Sequence, residues 1–134
     1  MQNEGVEVQQ VLEAQAAWEE AVESLDVDRV LSLYHPEHPC LWGTVAGVRR
    51  DTIDQLRNYF DHFLKKETMV VTFDQPHVRV FGDVAINSGY YSFDWIAEGE
   101  KQYVDARYSY VYERVGDRWL IVDHHSSAMP PNGI

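Results

Sequence analysis

Between Val8 and Leu25 the apolar positions Val11, Ala14, Trp18, Val22 and Leu25 recur at steps of three and four residues. That spacing predicts an amphipathic helix with Trp18 at the centre of its buried stripe. Asp26 can cap a short second helix carrying Val30, Leu31, Leu33 and Tyr34, which Pro36 then ends. Segment 39–43 suits a short strand. Past the loop 44–50, Asp51 offers an N-cap with Asp54 three residues on. The third helix it opens shows Ile53, Leu56, Phe60 and Phe63 on one face, with Lys65 and Lys66 at its C-terminal end. Beyond Glu67 the period changes to two. Met69 to Phe73 predicts a strand that Pro76 breaks; Val78 and Val80 belong to another, and Gly82-Asp83 turns the chain into Val84 to Trp95. Glu98 to Glu100 makes the next turn, and Tyr103 to Met129 forms a long hairpin. The order helix, helix, strand, helix, then about four antiparallel strands predicts an α+β fold with the helices on one sheet face.

The hairpin's turn decides which of its side chains face the helices. A two-residue turn at Gly116-Asp117 puts Glu113 opposite Leu120, a carboxylate among apolar residues. A three-residue loop, Val115 to Asp117, pairs Tyr112 with Leu120, Tyr110 with Val122 and Tyr108 with His124, and separates polar from apolar better. The second register is therefore expected. It turns His124, Tyr108, Tyr110 and Ser126 inward, and Arg107, Trp119 and Ile121 outward. Strand 84–95 adds large residues to the outer face as well: Tyr91, Phe93 and Trp95 in one parity, Ile86, Tyr90 and Ile96 in the other. Helices can cover only one face, so a second copy of the chain is the expected cover for the other.

The chain has 134 residues, enough for one domain spanning 1–134, with disorder expected over residues 1–5. Charged residues interrupt every apolar stretch, so no membrane span is expected. The formal net charge of −11 disfavours nucleic acid and anionic membranes as partners. Much of the acidity precedes Arg29, the first basic residue; it reads as a solvated helix face, or as a docking surface for a basic partner. One cysteine, Cys40, fits a reducing compartment, and a cytoplasmic location is expected.

Gln75 to Asp83, Asp117 to His125 and Ser126 to Pro130 carry a resemblance to a known group. The element order resembles the nuclear-transport-factor-2-like (NTF2-like, SnoaL-like) cone, in which three helices and a strongly curved, mostly antiparallel sheet enclose a pocket. The C-terminal half resembles the association (hub) domain of calcium/calmodulin-dependent protein kinase II. What the resemblance implies is a stand-alone hub: a homo-oligomer of dimers built on outer sheet faces and closed into a ring. No kinase catalytic motif is present. Hub domains carry arginines deep in the pocket, where the best-matching positions here are Ser92, Tyr110 and Ser126. A small-molecule pocket rich in aromatic and hydroxyl groups is expected instead, lined by Tyr90, Ser92, Tyr108, Tyr110, His124, Ser126, Trp42 and Tyr59. The expected oligomer interface comprises Tyr91, Phe93, Trp95, Arg107, Trp119 and Ile121.

His124 is the candidate general base, since imidazole titrates near neutrality and a phenol or carboxylate can fix its tautomer. The alternative function is thus an isomerase, cyclase or hydrolase acting on a small molecule. Segment His35 to Cys40 holds four potential metal ligands, but its prolines preclude helical chelation. His124 and His125, adjacent in a strand, point to opposite faces and cannot share an ion. No metal and no cofactor are expected.

Overall fold

A computed structural model describes residues 2–133. In chain order it contains α1 (Gln2–Glu23), α2 (Val27–Leu31), β1 (Leu41–Trp42), α3 (Ile53–Phe63), β2 (Thr68–Phe81), β3 (Val84–Ala97), β4 (Glu100–Val115) and β5 (Arg118–Ala128). The element order is the predicted one, and the fold class is α+β. α1 starts at Gln2, inside the stretch for which disorder was expected. The strands form one sheet in the order β1-β5-β4-β3-β2. All neighbours are antiparallel except β1, which pairs parallel with β5 through Leu41–His124 and Trp42–His125.

Local chemistry sets the element boundaries. Asp26 caps α2 by accepting the Arg29 amide at 3.3 Å. That helix ends at Leu31, short of the prediction, because Tyr34 leaves it to bridge Ile121 on the sheet edge. The cap of α3 is Thr52, one residue after the expected Asp51; its hydroxyl accepts the Gln55 amide at 3.2 Å. Gln55 Oε1 in turn accepts the Asp51 amide at 2.8 Å.

Pro76 does not break its strand. β2 runs through it with a register shift between Asp74 and His77, and Gln75 takes φ +55° there. β2 is an edge strand, so the missing proline N–H costs no ladder bond. Gly89 of β3 lies beneath this bulge. A Cβ there would sit 2.9 Å from both the Gln75 carbonyl oxygen and Tyr108 Oη.

The β4–β5 hairpin corrects the register. Its turn is the two-residue Gly116-Asp117 flanked by the Val115–Arg118 pair, with Gly116 at φ +65°, as a type II′ turn requires at its first central position. Glu113 does lie opposite Leu120, and the carboxylate is accommodated because its side chain is half exposed, with His35 Nε2 3.4 Å away. Val122 is then an unpaired extra residue between the pairs Tyr112–Ile121 and Val111–Asp123. This β-bulge changes the parity. Residues 119 and 121 before it, and 124 and 126 after it, consequently share the helix-covered face. Tyr110 faces His124 and Tyr108 faces Ser126, a two-residue slip from the expected Tyr108–His124 pair.

Burial follows this corrected parity. Trp119 and Ile121, expected outside, are core residues, and Trp119 Nε1–H donates to Gln10 Oε1 of α1 at 3.1 Å. Tyr91 and Phe93 are also buried, so Tyr90 and Ser92 take the outer face of β3. Trp95 shares the inner parity and lies half-buried with Lys66 Nζ 5.8 Å from its ring centroid. Of the six residues expected at an interface, only Arg107 lies exposed on the outer face.

Candidate functional site

Under the helices the sheet carries an aromatic core around His124. Trp18 from α1, Tyr34 from the turn after α2, Tyr91 from β3 and Tyr110 from β4 converge on this imidazole. The Tyr110 ring stacks on it at a centroid distance of 4.2 Å. Tyr34 Oη lies 2.8 Å from Nδ1, and Tyr91 Oη lies 3.1 Å from Nε2.

The proton positions follow from the one group that can only donate. Trp18 Nε1–H donates to Tyr34 Oη at 3.1 Å. Tyr34 then gives its own proton to His124 Nδ1, and Nε2–H donates to Tyr91. In the opposite tautomer Tyr34 would accept twice and its buried hydroxyl proton would have no acceptor. Ser126 lies beside Tyr91, and its Oγ is 2.6 Å from Thr44 Oγ1. The result is one directed run of hydrogen bonds from α1 through Tyr34 and His124 to Tyr91 on β3.

Burial lowers the His124 pKa to about 3, with His125 adding to the effect. Burial likewise raises the pKa of Tyr34, Tyr91 and Tyr110. The network is therefore neutral around pH 7. A second polar set lies beside it: Asn87 Nδ2–H donates to Gln15 Oε1 at 2.8 Å, and Tyr108 Oη–H donates to Asn87 Oδ1 at 3.0 Å. Tyr110 Oη alone, among the buried side-chain polar atoms described, has no partner.

Of the eight residues expected to line a pocket, the structure brings Tyr108, Tyr110, His124 and Ser126 together in this core. Tyr59 closes its side. The phenol ring lies on Gly43, where a Cβ would clash with Cε1, and Arg50 sits 5.3 Å from the ring centroid. Tyr90 and Ser92 are on the other side of the sheet. Trp42 is there too, stacked on His125 at 6.0 Å. Tyr34, Trp18, Asn87 and Gln15 complete the network and were absent from the expected set; the helical reading of 30–34 concealed the bridge that turns Tyr34 inward.

The space left inside is small. A cavity lined by Thr44, Tyr59, Phe63, Tyr91, His124 and Ser126 has a volume of about 10 Å³, room for about one water. Both ring nitrogens of His124 are engaged by hydroxyls, and the space beside them is no larger than that. Cys40 is not an activated nucleophile, since burial and the neighbouring Asp123 push its thiol up to about 11. Among the described residues no cluster of three metal-ligating side chains occurs, and no helix is long and apolar enough to cross a membrane.

The outer sheet face has a different character. Phe81, Val84, Tyr90 and Tyr103 are 60%, 41%, 45% and 57% exposed. A groove of about 440 Å³ runs over β2, β3 and β4, lined by Asp74, Tyr90, Ser92, Tyr103, Asp105 and Met129 among others.

Residues 6–130 match the family model of the calcium/calmodulin dependent protein kinase II association domain. A solved structure from Xanthomonas campestris, described as belonging to that domain type, shares 35% identity. It has a TM-score of 0.84 and covers 91% of this chain and 87% of its own. The hub of the kinase from S. rosetta is 23% identical with a TM-score of 0.77, over 91% of this chain and 96% of that one. An NTF2-like family protein from Streptomyces avermitilis is 20% identical at a TM-score of 0.86, over 94% and 98% of the two chains. No curated protein matches the sequence.

Proposed function

Because the chain belongs to the calcium/calmodulin dependent protein kinase II association-domain family, we propose that it is a self-associating hub. Its dimers form through the outer sheet face and assemble into a closed ring, and its work is assembly rather than turnover. The observation that carries this reading is the exposed outer face, where Phe81, Val84, Tyr90 and Tyr103 stand uncovered while the helices occupy the other side. Large apolar groups on a sheet face with no covering layer mark an interaction surface. The four long strands present roughly 700 Å² at ordinary strand spacing and rise, within the per-partner area of stable interfaces. The self-filled core supports the same reading, since it invests its polar residues in packing. Its closure leaves room for no more than about one water beside His124.

Light scattering behind a sizing column at micromolar concentration tests the proposal. A mass several times that of the protomer is expected, and a monomer overturns it. Phe81→Glu should shift the mass downward without loss of helical and strand signal in circular dichroism.

A further inference from the structure

The outer-face groove and Arg107 form a matched pair that a single chain leaves unused. Asp74 and Asp105 line the groove between the exposed rings of Tyr90 and Tyr103. Neither carboxylate forms an ion pair with a basic side chain among the described residues. Asp105 accepts a hydrogen bond from the Tyr103 hydroxyl, which fixes the carboxylate on the groove wall. Arg107 stands two residues further along β4 on the same face, paired across the ladder with Tyr90. Among the described residues its guanidinium has only a 3.4 Å contact to Ser127 Oγ and no carboxylate partner. Carboxylates flanked by aromatic rings are a receptor for a guanidinium, which they hold by charge-assisted hydrogen bonds and by the ring faces.

Two adjacent features on one surface exchange places under a two-fold axis through their midpoint. Here that axis lies in the plane between the two sheets, at right angles to β4, and crosses over Ala106, close to the middle of β4 (Glu100–Val115). β4 is the central strand in the order β1-β5-β4-β3-β2. The one symmetry axis that seats Arg107 in a partner's groove therefore also superposes the two sheets with near-maximal overlap. Sheets packed face to face lie about 10 Å apart, a gap that an arginine from one sheet and an aspartate from the other bridge together. The contact is isologous: each copy gives one arginine and receives one.

We propose that Arg107 of each protomer inserts into the groove between Asp74, Tyr90, Tyr103 and Asp105 of a second copy, setting the register of the dimer. This rests on the self-association proposed above and names its pairing. It also answers the electrostatic difficulty of apposing two faces that carry unneutralised aspartates on a chain of net charge −11.

Charge reversal tests it. Arg107→Asp places aspartate against aspartate at both contacts of the dimer, and Asp105→Arg places arginine against arginine. Either should raise the dimer dissociation constant by about a hundredfold or more, because apposed like charges cost several kcal/mol. Mixing the two variants in equal amounts gives a heterodimer in which both contacts are again opposite in sign. The mixture should recover wild-type association, and mass spectrometry should find one of each chain per dimer. Single variants that associate like wild type, or a mixture that stays dissociated while each variant retains its fold, overturn the pairing and leave self-association standing. A monomeric wild-type chain overturns both.

Discussion

At the scale of single residues, His124 shows how burial changes the proton affinity of an imidazole. Its imidazole stays neutral because the site holds no compensating charge, and burial lowers its pKa to about 3. The unfolded chain would bind a proton near the usual imidazole value of about 6.5. The unfolded state thus holds the extra proton between those values, so the stability associated with His124 is complete above about pH 6.5 and falls with pH toward 3. The slope approaches about 1.4 kcal/mol per pH unit. Stability measured by urea unfolding from pH 6.5 to 4.5 should drop less steeply in His124→Gln than in wild type. Equal slopes would show that the imidazole is protonated in the folded protein.

Two tyrosines one ring apart should respond oppositely to loss of a hydroxyl. Tyr34 satisfies both Trp18 Nε1–H and His124 Nδ1. Tyr34→Phe strands two buried polar groups, for about 2–4 kcal/mol of lost stability. Tyr110 Oη has no partner among the described residues, so Tyr110→Phe removes a desolvated hydroxyl at no loss and with a gain of up to about 1 kcal/mol. Denaturant midpoints of the two variants check the sign of each.

At the scale of elements, periodicity made the helices and strands legible because each buries one stripe or one face. It carries no information on where a ladder gains a residue. Val122 is an ordinary β-branched residue in an apolar run, so nothing in its type marks the bulge that returns Trp119 and Ile121 to the core. The expected register balanced Glu113 against burial and missed His35, a partner far away in sequence that the Tyr34 bridge brings to the same end of the sheet. The inward set Tyr108, Tyr110, His124 and Ser126 was nonetheless legible, because the slip was two residues and a two-residue slip preserves the face. Tyr90 and Ser92 were misplaced because Tyr90 and Tyr91 are chemically alike and parity alone separates them.

The β2 bulge gives this scale its own test. Gly89 makes room for carbonyls displaced by Gln75 and Pro76, with the Asp74 oxygen 3.1 Å from an added Cβ and the Gln75 oxygen nearer still. Backbone oxygens on both contacts cannot rotate away as a side chain would. Gly89→Ala should therefore cost about 1–3 kcal/mol, although alanine is otherwise the better strand residue. Gln75→Gly, which relieves the left-handed backbone at the bulge, should recover part of that loss in the double variant. A cost near zero for Gly89→Ala would mean that the bulge moves freely.

At the scale of the whole molecule, association must overcome repulsion between copies that each carry net charge −11. The attractive contributions are short-ranged: apolar contact over Phe81 and Val84, and Arg107 closed away from water in a groove. The repulsion is spread over the molecule and long-ranged. Salt distinguishes them, since the Debye length falls from about 30 Å at 0.01 M to about 8 Å at 0.15 M. Over that interval the distributed repulsion is largely screened, while a guanidinium in contact with carboxylates in a water-excluded groove is screened much less. Raising the salt should therefore strengthen association, lowering the dissociation constant by about tenfold; sedimentation velocity at the two ionic strengths measures it. The opposite sign would mean that exposed ion pairs hold the assembly together. Salt is a cleaner variable here than acid. Lowering the pH also reduces the net charge, but below pH 6.5 it begins to destabilise the core through His124, and loss of fold would then mask any gain in association.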